Sequence, residues 1–515
     1  MYDLVLHGGT VYDGFGTPGR TADVAISGDR LVAVGQGLTG RRMIDVTGLA
    51  VAPGFVDPHS HSDTVPFLAD AQPFKLYQGV TTEICGNCGF SCAPGDPSSS
   101  DFTPLGDGDD LFATFGGYLD AAEAAGTTNN LAVLVGHNTL RVMVAGLNRD
   151  LPRDGRDRLL ALAEEAFHAG AFGFSSGLEY VPGAYAGTDE LIALALVARR
   201  WNGTYATHMR SESEGLADAL DEAIAVARAA GVRLQVSHCK ASGRAVHGSS
   251  VMLLDKLRQA RLSGVDVRAD QYPYQAFSTS LAAVLPPAVL EGGIAELRAR
   301  LADPAQRKAF REVAEDPANG TGVGFWRELH PDDVRILVHA DPSIAGRTLA
   351  ETAGDGDAWD ALCDLLIKDP GAAGVFHTMH DDDVMRIMAD PLIAIGSDGG
   401  PPVGPNHPRT FGTFPVFLGR YVRDRGVVPL EEAIRKVTSA TATQFALADR
   451  GWLGPGATAD VCVFDPSVID HPGTYEAPDL RPVGVRHVLL GGHLVIEDGE
   501  FTGGRHGRVL RHGRS

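Results

Sequence analysis

The chain has 515 residues, 44% of them apolar and 21% charged, and a formal net charge of −21. That length serves one large domain plus a smaller one, and the composition is that of an ordinary globular protein. The acidic balance excludes a general nucleic-acid binder, which would concentrate Lys and Arg on one face.

The first fifty residues read as short strands at 4–7, 22–26 and 30–34, broken by Gly-containing turns. The far end repeats the pattern at 460–464, 485–490 and 493–496. Two strand-rich ends around a different middle predict one small β-sandwich domain built from residues 1–52 and 447–515.

Between them the pattern alternates. Strand segments at 54–57, 80–84, 131–135, 172–175, 204–207, 233–237, 265–269, 375–377 and 392–395 are separated by helical stretches. The clearest helix is 216–230, where Leu216, Ala219, Leu220, Ala223 and Ile224 form one apolar stripe and Gly231 follows as a C-terminal cap. This alternation predicts an α/β fold over 53–446 with a parallel sheet, either open or closed into a (β/α)8 TIM-like barrel. Nine strand segments compete for eight positions, so one is misplaced. Residues 278–341 interrupt the alternation with Pro-punctuated, charged, helix-like stretches, read as an insertion at the barrel mouth.

Side chains suited to a metal cluster at the strand ends. His59 and His61 follow the first barrel strand and, spaced i and i+2, face one side. His208 and His238 end two later strands, and Asp398 ends the last. In a barrel these ends converge on one rim, where active sites form. Imidazole and carboxylate are the donors that open catalytic zinc sites use. Cys85, Cys88 and Cys92 have the spacing of an iron–sulfur or structural zinc site, yet no fourth ligand is adjacent. The alternative is that one thiolate between Gly86 and Gly89 joins the histidines while Cys85 and Cys92 act as buried small hydrophobes. Cys239, beside His238, should face away from the site.

Six cysteines do not suggest a disulfide scaffold, the N-terminus lacks a signal-peptide pattern, and no apolar run reaches the roughly 20 residues a bilayer needs. The expected address is cytoplasmic, with no membrane partner. A homo-oligomer is compatible with the sequence.

Several stretches resemble the N-acyl-D-amino-acid deacylases (D-aminoacylases) of the amidohydrolase superfamily. They are 52–63 (Ala-Pro-Gly-Phe-Val-Asp-Pro-His-Ser-His-Ser-Asp), Gly-Asn-Cys-Gly at 86–89, 175–180, 207–212, Ser-His-Cys-Lys at 237–240, Gly-Ser-Asp-Gly at 396–399, and 407–415 (His-Pro-Arg-Thr-Phe-Gly-Thr-Phe-Pro). The resemblance implies one tightly bound zinc on Cys88, His208 and His238. It also implies a second, weaker metal position lined by His59, His61 and Asp398. Lys240, Tyr272 and Arg409 would bind the substrate carboxylate, with Tyr274 as the rival to Tyr272. Lys240 also shares a strand face with His238, whereas Arg409 by itself reads as a surface loop arginine. The implied reaction is hydrolysis of an N-acyl-D-amino acid, a small-molecule substrate. Zinc activates water and polarises the carbonyl, and Asp398 moves the proton. The rival activities are a dipeptidase acting on L-Xaa-D-Xaa and a cyclic-amide hydrolase. A non-catalytic scaffold is the alternative from another class.

Overall fold

The computed structural model describes residues 1–68, 73–95, 112–319 and 324–513. Eight parallel strands form the barrel: β1 (Phe55–Asp57), β2 (Val80–Cys85), β3 (Asn130–Val133 with Val135–Gly136), β4 (Gly173–Gly177), β5 (Thr204–His208), β6 (Arg233–Val236), β7 (Val267–Gln271) and β8 (Ile393–Ile395). The ring closes where Ser60 bridges Gly399, His61 N donates to Gly399 O at 2.8 Å, and Asp398 N donates to His59 O at 2.8 Å. On the other side Phe172 N donates to Val133 O at 2.9 Å, which joins β3 to β4.

The helix Leu216–Ala230 forms as its pattern predicts. Its stripe is buried in the main core, and Gly231 (φ 67°) ends it with N donating to Ala227 O.

The ninth strand segment lies outside the barrel. Residues 375–377 overlap Ala373–Phe376, which pairs antiparallel with Phe277–Ser280 and Val334–Val338. This small sheet packs with helices Ile294–Ala302 and Ala358–Lys368 around its own core of Leu281, Leu297, Ile336, Trp359, Leu362 and Phe376. Its alternating pattern is local, so the sequence did not distinguish this antiparallel strand from a barrel strand. The separately packed unit extends past residue 341, and residues 320–323 of the expected insertion fall outside the described residues.

Both chain ends build the β-sandwich. Its nine-stranded sheet joins Tyr2–Val11, Arg20–Ser27 and Ala50–Pro53 to Val461–Phe464 and Val485–Leu490, with Ala50–Pro53 antiparallel to Val461–Phe464. Period-two alternation sends Val51, Val461 and Val463 into the sandwich core and Ala50, Ala52, Cys462 and Phe464 against Phe414, Phe417 and Ile434 of the barrel's outer helices. No helix among the described residues is long and apolar enough to cross a membrane.

Candidate metal centre

The C-terminal strand ends bring six donors together. His59, His61, Cys88 and Asp398 form one group and Cys88, His208 and His238 another, the donor atoms of each within 4.8 Å of one another. Cys88 belongs to both.

The stretch 86–89 explains how Cys88 gets there. Gly86 and Gly89 have φ of 75° and 82°, and a Cβ on Gly86 would lie 2.0 Å from Leu134 O. The chain therefore turns more tightly than any side chain at these positions would allow. Asn87 Nδ2 fixes the turn by donating to Ile84 O at 2.8 Å. Cys88 (53°), His238 (32°) and Asp398 (51°) are themselves left-handed non-glycine residues. Such strain clusters where the surroundings over-determine a functional geometry.

Cys88 Sγ lies 3.2 Å from His59 Nε2 and 3.5 Å from His238 Nε2, while His208 Nδ1 is 2.9 Å from His238 Nε2. Tetrahedral zinc with bonds of about 2.0–2.3 Å separates its ligand atoms by roughly 3.3–3.6 Å, so Cys88, His208 and His238 fit that ion with small adjustment. Asp398 Oδ1 is 3.1 Å from His61 Nε2 and 3.3 Å from His59 Nε2, and Oδ2 is 2.8 Å from Arg409.

The electrostatics suit a cation. Burial would raise the Cys88 thiol, but His59 and His238 hold it well below its ordinary range, as a thiolate. Burial likewise opposes ionisation of Asp398, yet Arg409 and His59 keep it well below the usual carboxylate value. Burial disfavours charge on His208, but Glu212, Cys88 and Glu179 lift it to about 10.

Three carboxylates stand behind the histidines. Asp270 lies 3.3 Å from His59 Nδ1, Glu179 2.9 Å from His208 Nε2, and Glu212 2.8 Å from His238 Nδ1. Asp270 also accepts from His238 N at 2.8 Å and Gln235 Nε2 at 2.7 Å. None of the three has a role that the sequence by itself reveals. Glu179 and Glu212 sat in the matched stretches 175–180 and 207–212, and Asp270 follows the expected strand 265–269, so position was the available signal.

The three remaining predicted residues sit beside the donors. Lys240 is buried against Glu212, with Nζ 3.0 Å from His238 Nδ1. Arg409 lines the cavity above the donors, and its guanidinium lies 5.1 Å from the Tyr272 ring centre. The buried Tyr272 hydroxyl has no hydrogen-bond partner among the described residues, whereas Tyr274 donates to Pro408 O at 3.3 Å. That favours Tyr272 over its rival as the residue left for a ligand. Cys85, Cys92 and Cys239 pack into the apolar core, away from the donors.

The amidohydrolase family profile matches residues 42–277 and 361–496. The chain is 37% identical to D-aminoacylase of Alcaligenes xylosoxydans xylosoxydans, covering 99% of this chain and 97% of that protein. It is 36% identical to N-acyl-D-glutamate deacylase of the same organism, covering 99% and 96%. A crystal structure of D-aminoacylase superposes with a TM-score of 0.86 at 37% identity, covering 99% and 100%. N-acyl-D-glutamate deacylase from Bordetella bronchiseptica, complexed with zinc and a phosphonate mimic of the tetrahedral intermediate, superposes at 0.84 with 33% identity, covering 99% of each chain. The chain therefore belongs to the D-aminoacylase family of amidohydrolases.

Proposed function

We propose that this protein is a zinc-dependent deacylase that cleaves N-acyl-D-amino acids into a carboxylate and a free D-amino acid. The observation that carries the reading is the pair of donor groups sharing Cys88, with Asp398 beside them and Arg409 at the cavity wall. The relatives' activities support the substrate class and its handedness.

Cys88, His208 and His238 would hold the tight zinc, and His59, His61 and Asp398 a second position. Zinc held there would supply a water nucleophile at neutral pH and polarise the acyl carbonyl. Asp398 Oδ1 accepts the proton of the attacking water as the new C–O bond forms. It then delivers that proton to the amide nitrogen as the C–N bond breaks. Arg409 and the Tyr272 hydroxyl receive the substrate's α-carboxylate, since a planar guanidinium fork matches a carboxylate. Lys240, engaged by Glu212, adds positive charge behind His238.

The amino-acid side chain is uncharged in this reading. Among the described residues lining the cavity, the arginines are Arg409 and Arg298, and no lysine joins them. Arg298 is exposed, with Nε donating to Ile367 O and Glu296 on the same wall. Six cysteines free of disulfides, all buried, fit the reducing cytoplasm.

The test is zinc content together with amine release from N-acetyl-D- and N-acetyl-L-amino acids. About one tightly held zinc and release from D-methionine or D-leucine derivatives, well above D-glutamate and L-series rates, is the expected result. Zinc without turnover of either series would move the activity to cyclic amides or dipeptides.

A further inference from the structure

Resting on the deacylase reading, the residues behind the carboxylate anchor show how Arg409 is aimed. His407, two positions before it, is buried with both ring nitrogens engaged. Nδ1 accepts from Arg409 N at 3.0 Å, and Nε2 donates to Ala276 O at 3.1 Å. Burial and the neighbouring Arg409 charge hold this imidazole well below its ordinary range, so it is neutral with its one proton on Nε2. Two residues beyond Ala276, Ser278 O accepts from Arg409 Nη2 at 3.1 Å. The stretch 276–278 therefore holds Arg409 twice, at its main chain through the imidazole and at its guanidinium directly.

The imidazole is itself braced by two tyrosine rings that meet it nearly at right angles. Tyr274, with its ring centre 5.2 Å away, follows β7 and donates to Pro408 O. Tyr475, at 5.1 Å, comes from the small β-domain, on the connection between Val461–Phe464 and Val485–Leu490. It also meets the ring of His377, just past the strand Ala373–Phe376, at 4.8 Å. The loop that carries Tyr475 is tied at its base. Val483 N donates to Asp470 O at 2.9 Å, His471 Nε2 to Leu480 O at 2.8 Å, and Arg420 Nε to Asp470 Oδ1 at 3.0 Å. His471 fits against Gly412, where a Cβ would fall 2.1 Å from its Nδ1. That glycine lies one turn past Arg409 in the helix Arg409–Val416, so the small domain packs on the helix that begins with the anchor. This close approach accounts for the glycine in the stretch 407–415.

We propose that His407 and Tyr475 are positioning residues for Arg409. The imidazole sets the distance from the anchor to the strand Phe277–Ser280, and the small domain's tyrosine holds the imidazole there. A guanidinium fork binds a carboxylate through two directed hydrogen bonds, so a shift of about 1 Å in the fork weakens the grip steeply. The metal donors are held by their own carboxylates and strand ends. The loss therefore falls on substrate binding more than on the chemical step.

The experiment measures kcat and KM of the zinc-loaded enzyme on the N-acetyl-D-amino acid it turns over fastest. Tyr475→Ala should raise KM about tenfold or more, change kcat less than about threefold and leave the zinc content as it was. Tyr475→Phe keeps the ring and should behave as the parent. His407→Asn retains an acceptor for Arg409 N but is too short for Ala276 O, and should raise KM in the same way. His407→Gln restores that reach and should recover most of the loss. In an Arg409→Met background, Tyr475→Ala should change kcat/KM less than about twofold, since its effect runs through that arginine. An unchanged KM, a loss carried by kcat, or an undiminished effect in the Arg409→Met background would overturn the positioning role and leave the deacylase intact. No amine release by the parent from any N-acetyl-D-amino acid would overturn both.

Discussion

The affinity of the proposed zinc site would depend on how firmly its imidazoles are held, and Asp270, Glu179 and Glu212 stand behind His59, His208 and His238 at 3.3, 2.9 and 2.8 Å. Glu212 carries the most, because Lys240 shares it and its carboxylate is held well below the usual range against burial by Lys240 and His238. Glu212→Gln keeps the shape but loses the charge, so zinc affinity should fall about 10–100-fold, read by competition with a chelator. The proposed reaction gives Asp398 a different duty. Asp398→Asn should lower kcat by about 10²–10⁴-fold while the zinc on Cys88, His208 and His238 stays bound, checked by turnover and metal content on one preparation. Near-normal turnover would remove Asp398 from the proton path.

The elements that present these residues are held by a buried polar network under the site. Lys75 Nζ donates to Asp57 Oδ2 at 2.7 Å and to Ser397 Oγ at 2.6 Å, and lies 3.4 Å from Glu83. Asp57 accepts from the backbone nitrogens of His59 and Ser397, while Glu83 accepts from Ser60 and Ser62. One ammonium group thus fixes the ends of β1, β2 and β8, the three strands where the ring closes on His59, His61 and Asp398. Lys75 and Asp57 are both fully buried, so removing the cation strands two carboxylates in a low dielectric. Lys75→Met should destabilise the fold by about 3–5 kcal/mol, visible as a lower urea midpoint.

Across the whole molecule, the C-terminal segment clamps the closed end of the barrel. Leu131 N donates to Arg508 O at 2.9 Å and Leu510 N to Leu131 O at 2.7 Å, so this segment pairs beside the start of β3, opposite the site. Arg505 donates to the carbonyls of Pro66, Leu68 and Gly126. Ending the chain at Gly504 should lower the melting temperature by several degrees without changing KM for an N-acetyl substrate, because none of these contacts reaches the donor cluster. A raised KM would show that the clamp shapes the mouth as well.

The sequence alone determined the periodic and local features. Alternating strands and helices, the stripe of Leu216–Ala230 and the Gly231 cap follow from spacing, and metal-competent side chains at successive strand ends converge in any barrel. Resemblance in short stretches singled out Cys88 among three cysteines, a choice that spacing left open. Only the tertiary structure decided what depends on distant residues. The strand Ala373–Phe376 joins an antiparallel sheet because its partners lie at 277–280 and 334–338, beyond the reach of a periodicity argument. The roles of Asp270, Glu179, Glu212 and Lys75 arise from charges that meet across strands, and no pattern along the chain records such meetings. Arg409 reads as a loop residue in isolation; it becomes part of the site because the fold sets it 2.8 Å from Asp398 and over Tyr272.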